Sequence, residues 1–124
     1  MRSFMADYGA RLVDNGYPII PIIPGAKCPG KFERGEWRAY PDWTRHGLRS
    51  TKSAELSIWS HWPGCGIGIA SGTTTGIDLD LLEQEPALEI ERLAFRELGD
   101  TPCVRIGMAP KRLLVYRSAT PFKS

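Results

Sequence analysis

Apolar side chains recur at helical spacing through the first positions of the chain. Phe4, Met5, Tyr8, Leu12 and Val13 form a stripe that stops at Asn15-Gly16, so a helix is predicted over about residues 3 to 15. Tyr17 to Ile23 is β-branched and apolar, but Pro18 and Pro21 remove ladder donors, which predicts an edge strand or one that ends early. From 24 to 50 neither period is sustained, and Pro24-Gly25, Pro29-Gly30, Gly35, Pro41 and Gly47 punctuate the stretch. It reads as one long loop, a length usually reserved for function or mobility. Leu56, Trp59 and Trp62 then give an apolar stripe to a short helix from about Ser53 to Trp62, ended by Pro63-Gly64, and these tryptophans belong to a core.

The centre of the chain changes period. Gly66 to Ala70 is a short strand of small residues, and Ser71-Gly72-Thr73-Thr74-Thr75-Gly76 is a turn leading into a second strand, so the pair is predicted as a hairpin. Pro86 suits a first helical turn; Leu88, Ile90, Leu93, Ala94 and Leu98 supply an apolar face and Gly99 the stop. Cys103 to Ile106 and Leu113 to Arg117 are the last strand candidates. The order helix, strand, loop, helix, strand, strand, helix, strand, strand implies an α+β (mixed α/β) fold, a largely antiparallel central sheet flanked by helices.

A length of 124 residues with 42% hydrophobic content suits a single domain spanning 1–124. No apolar run approaches the roughly 18 residues that span a bilayer, and the N-terminus lacks a secretory pattern, so no membrane partner and a cytoplasmic location are expected. Cys28, Cys65 and Cys103 are odd in number without a C-x-x-C pair, which favours reduced thiols over a disulfide framework or zinc ribbon.

The net charge of +2 conceals a segregation. Lys27 to Lys52 carries seven basic residues against three acidic ones, Glu83 to Asp100 is acidic, and Arg105 to Ser124 carries five basic residues and no acid. If the fold gathered both basic segments near the central strand, they would form a positive rim suited to polyphosphate; the alternative is a solvated mixed surface.

The sharpest chemistry lies in Gly76-Ile77-Asp78-Leu79-Asp80-Leu81-Leu82. Strand alternation sends Ile77, Leu79 and Leu81 to one side and both carboxylates to the other, about 7 Å apart along the strand. Two adjacent negative charges on one face call for a cation, a basic side chain or water. A divalent metal and an arginine-paired sheet edge both satisfy that demand.

Several features in order resemble the N-terminal part of the bifunctional DNA primase/polymerase domains of phage and plasmid replication proteins, in the archaeo-eukaryotic primase superfamily. These are a helix ending in Gly16, a Pro-Ile-Ile-Pro segment, Pro24-Gly25-Ala26-Lys27-Cys28-Pro29, Trp43, Thr51 before Ile58-Trp59, Gly66-Ile67-Gly68-Ile69-Ala70 with Ser71-Gly72, and Gly76-Ile77-Asp78-Leu79-Asp80. The resemblance covers nearly the whole chain and implies a primase/polymerase-like fold. It implies catalytic, metal-holding roles for Asp78 and Asp80, with Mg2+ or Mn2+ as cofactor. It also implies DNA template/primer and nucleoside triphosphates as partners, and a downstream helicase domain or protein as a further one.

Relatives carry a histidine in a second motif, opening a strand and contacting nucleotide phosphates. Here the hairpin reads Arg105-Ile106-Gly107-Met108-Ala109-Pro110-Lys111-Arg112-Leu113-Leu114-Val115-Tyr116, so Lys111 and Arg112 are the candidate phosphate ligands. Alternation allows only one of them to face the site, and the sequence does not say which. The family's third motif supplies another acid on a later strand, but no Asp or Glu follows Asp100, and Glu83 and Glu85 lie too close to the pair to substitute. A fragment cut before that motif, weak or inactive alone, is therefore expected.

Trp37, Arg38 and Arg45 are candidate nucleic-acid contacts, the ring stacking on a single strand and the guanidinia meeting phosphate; Trp43 fits either stacking or the core. His46 and His61 have no metal-ligand spacing and read as structural or surface residues. Ser71 to Gly76 lacks the Lys-Ser/Thr ending of a phosphate-binding loop. Two functions follow: template-dependent nucleotidyl transfer, or a non-catalytic nucleic-acid- or protein-binding module of a mobile-element replication protein.

Overall fold

A computed structural model describes residues 2–101, 103–106 and 108–117. Gly107 of the second-motif turn and Lys123 of the basic tail lie outside the described residues. The fold is mixed α+β, and the chain packs as two compact units, one running to Thr74 and one covering Thr75–Ser118.

In the first unit, α1 (Phe4–Asp14) starts where the Ser3 hydroxyl accepts the Ala6 N–H at 3.1 Å and stops at Asn15, with Gly16 at φ +81°. Met5 is fully buried, whereas Phe4 and Tyr8 stack on one another at the surface under the Arg2 guanidinium. Strand β1 (Ile19–Ile22) pairs antiparallel with β4 (Gly66–Ile69) in the register Ile19↔Ile69 to Ile22↔Gly66. The predicted hairpin of β4 with the aspartate strand does not form: β4 takes β1 as its partner, and the aspartate strand sits beside a later one. Small residues in β4 explain the choice, because a Cβ at Gly68 would lie 2.9 Å from the Ile22 side chain and 3.2 Å from that of Ile20.

The predicted long loop contains structure. Strands β2 (Gly30–Glu33) and β3 (Glu36–Ala39) form a tight hairpin, and Arg34 and Gly35 both take positive φ, +52° and +79°, as the twist-matched two-residue turn requires. A 3₁₀ helix (Trp43–Leu48) and α2 (Ser53–Trp59) follow. The core of this unit gathers Met5, Ile19, Tyr40, Trp59 and Cys65, with Leu12, Val13, Trp37, Trp43 and Trp62 packed around them. Truncating a buried aromatic such as Trp59 costs about 3–5 kcal/mol in cores of this kind. Helices α1 and α2 meet closely at Gly9, where an added Cβ would sit 2.6 Å from the Leu56 side chain.

The second unit holds most of β5 (Thr74–Leu79), α3 (Gln84–Leu98), β6 (Val104–Arg105) and β7 (Arg112–Arg117), in strand order β5-β7-β6. Among the described residues the strands thus form three small sheets in place of one central sheet. Helix α3 has nearly its predicted span but a rotated inward face. Ala87 is buried and Leu88, Glu91, Ala94 and Phe95 are half-buried, while Ile90, Leu93 and Leu98 are exposed. The polar member of that stripe, Glu91, accounts for the rotation: it pairs with Arg112 on β7, and both side chains are largely buried.

Candidate nucleotide and metal site

Along β5 burial alternates as the period-two pattern demands. Ile77 is half-buried and Leu79 buried, while Asp78 and Asp80 are exposed. Gly76 shares the aspartate face, and having no side chain it admits Leu113 of β7, whose Cδ1 would lie 2.8 Å from an added Cβ.

The second-motif hairpin answers which basic residue faces the aspartates. The Lys111 ammonium donates to Asp80 Oδ1 at 2.8 Å, with the two side chains 38% and 69% exposed. Its pKa is raised, first by the hydrogen bond to Asp80, then by the charges of Asp80 and Asp78, so it is firmly protonated. Arg112 takes the opposite direction. Its Nε donates to the Pro110 carbonyl at 3.2 Å and its guanidinium pairs with Glu91, next to the fully buried Leu114. Arg112 therefore braces β7 against α3, and Lys111 is the cation presented to Asp78 and Asp80.

The donor set fits a hard divalent ion. Two exposed carboxylates, Asp78 on β5 and Asp80 one residue past its end, match a cation that keeps several waters and takes one or two protein oxygens. Among the described residues no cluster of three or more His, Cys, Asp or Glu forms a fuller cage.

The candidate nucleic-acid residues lie in the first unit. Trp37 faces inward, its ring 5.6 Å from Phe32 and 5.8 Å edge-on to Trp62. Arg38 lies on the other face of the same hairpin, opposite Lys31, and that face is balanced locally by Glu36, 3.4 Å from Arg38, and Glu33, 3.7 Å from Lys31. Arg45 is exposed on the 3₁₀ helix.

A buried polar network escaped sequence reasoning. His46 is 1% exposed; its Nε2 and the Tyr40 hydroxyl share a hydrogen bond of 2.9 Å, and its ring stands edge-on to Trp59. Burial lowers its pKa, so it is neutral near pH 7. The His46 Nδ1 lies 3.4 Å from Glu55 Oε2 without hydrogen-bond geometry. Glu55 is gripped by Arg49 at 2.8 and 3.0 Å and accepts the Lys52 N–H at 3.0 Å; the Arg49 hydrogen bonds lead in holding its carboxyl down to about 2. Adjacent to His46, the Gly47 carbonyl accepts both the Thr73 N–H at 3.0 Å and its hydroxyl at 3.3 Å, immediately before β5. The one available signal was Glu55 three residues after Lys52, the spacing of a capping box without its usual Ser or Thr.

The model of the bifunctional DNA primase/polymerase, N-terminal family matches residues 9–123, a span that includes β5 and the Lys111 hairpin. The chain belongs to this family. No curated protein and no solved structure matches it. Primase/polymerase domains act in replication, with DNA and nucleotides as substrates. No helix among the described residues is long and apolar enough to cross a membrane. The cysteines are free thiols, and burial pushes Cys65 up to about 11, leaving it unreactive.

Proposed function

We propose that this primase/polymerase domain performs template-dependent nucleotidyl transfer in phage or plasmid replication, with Asp78 and Asp80 holding Mg2+ or Mn2+. The observation that carries this reading is the pair of exposed carboxylates, Asp78 on β5 and Asp80 just past its end, with the Lys111 ammonium beside them, inside the family-matched span. The ions would supply activation of the primer hydroxyl and charge neutralisation on the departing pyrophosphate.

The chain's own residues do the rest. Asp78 and Asp80 fix where positive charge accumulates, both exposed at the C-terminal end of β5. Lys111 meets the incoming triphosphate as a mobile point charge, the role a histidine has in relatives. Arg112 and Glu91 hold the hairpin that carries it. Arg38 and Arg45 offer guanidinia to template phosphates, while Trp37 keeps the β2–β3 hairpin seated through Phe32 and Trp62. A helicase domain or protein is the natural companion for such a domain in the cytoplasm.

Labelled deoxynucleotide incorporation on a primed template, by a polypeptide that also carries the family's third acidic motif, tests the proposal. It should depend on the template and on Mg2+ or Mn2+, and be abolished by Asp78→Ala or Asp80→Ala. Incorporation untouched by both substitutions overturns the assignment.

A further inference from the structure

Lys111 stands where a metal ion would have to bind. Its ammonium is 2.8 Å from Asp80 Oδ1, yet nothing else among the described contacts anchors the side chain. Its backbone, in contrast, is fixed. The Lys111 N–H donates to the Met108 carbonyl at 2.9 Å, Arg112 is tied to Glu91 and Pro110, and Leu114 is buried. A flexible four-carbon stem thus rises from a rigid base and ends in an exposed ion pair, a kind of contact that exchanges readily.

A divalent ion and an ammonium cannot share that carboxylate oxygen without like-charge repulsion. We propose that Lys111 is a tethered cation that a divalent metal displaces from Asp80, and that the freed ammonium then binds the triphosphate of the incoming nucleotide. The proposal rests on the metal role of Asp78 and Asp80 given above. It makes one side chain act with opposite signs: without nucleotide Lys111 competes with metal, and with nucleotide it favours the ternary complex. Empty of nucleotide, the site has one of its two carboxylates paired by its own lysine; metal and triphosphate then load as a coupled pair.

The test uses Lys111→Gln in the full chain, with Mn2+ binding followed by electron paramagnetic resonance, first alone and then with a non-hydrolysable deoxynucleoside triphosphate. Circular dichroism and thermal melting confirm that the variant folds, as expected of a partly exposed side chain with a single ion pair. With Mn2+ alone, the variant should bind about 3- to 10-fold more tightly than wild type, an ion pair's worth of competition removed. With Mn2+ present, its triphosphate affinity should fall about 10-fold, the loss of one charge-assisted contact. Unchanged or weaker Mn2+ binding by the variant overturns the exchange, as does undiminished triphosphate affinity. Asp80→Asn measured in parallel separates the two claims. If it abolishes Mn2+ binding while Lys111→Gln changes nothing, the exchange falls and the metal role stands; if Mn2+ binds wild type and Asp80→Asn alike, the metal role falls as well.

Discussion

Replacing Glu55 by glutamine isolates the charge at the centre of the buried network, since the amide oxygen still accepts one hydrogen bond. In the folded protein the carboxyl is held at about 2 against an ordinary value of 4.5, a difference worth about 3 kcal/mol at neutral pH. That figure is an upper bound, because the Arg49 side chain is 37% exposed and water screens the pair. Glu55→Gln should therefore lose about 1–3 kcal/mol in urea unfolding at pH 7. The sign of the pH dependence follows from the direction of the shift. A depressed carboxyl stabilises fully above 4.5 and loses that contribution as pH falls toward 2, so the gap between wild type and variant should close across that window. His46 adds a separate step. Its lowered pKa means that the unfolded chain takes up a proton first as pH drops below 6.5, so wild type weakens there too, and the variant should keep this step. A Glu55→Gln penalty that stays constant from pH 7 to pH 3, or one below about 0.5 kcal/mol at pH 7, refutes the reasoning.

Two other substitutions probe packing, one in each unit. Gly47→Ala would place a Cβ 1.9 Å from the Ser71 carbonyl oxygen, so the backbone must shift where Thr73 is held; a loss of about 2–4 kcal/mol, or failure to fold, should appear in thermal melts. Glu91→Ala leaves Arg112 largely buried without its carboxylate, and should cost about 3 kcal/mol by urea titration.

Much of the architecture was legible in the sequence where local signals agree. Asn15-Gly16 closes α1 as capping chemistry demands, and the alternation running through β5 leaves both Asp78 and Asp80 exposed. The β2–β3 hairpin was missed because Arg34 occupies a turn position that normally advertises itself as Asn, Asp or Gly. The partner of β4 was missed because Ile19↔Ile69 is a tertiary pairing, decided by packing between residues fifty positions apart. Apolar periodicity also misjudged α3. Counting only hydrophobic residues selects Ile90 and Leu93, whereas the inward stripe contains Glu91, an acid made tolerable inside by Arg112. The same ion pair decides the question left open at the second motif. Arg112 is committed to Glu91, and Lys111 remains for Asp80.

Mn2+ binding to the intact chain tests the central claim most directly, read by electron paramagnetic resonance in wild type, Asp78→Asn, Asp80→Asn and an Asp14→Asn control on α1. The account predicts that wild type and the control bind alike and that each β5 substitution weakens binding by about 10-fold or more, as the loss of a carboxylate ligand should. A wild-type chain that binds no Mn2+, or β5 variants that bind it as well as the control, would contradict the assignment of Asp78 and Asp80 as the metal-holding pair.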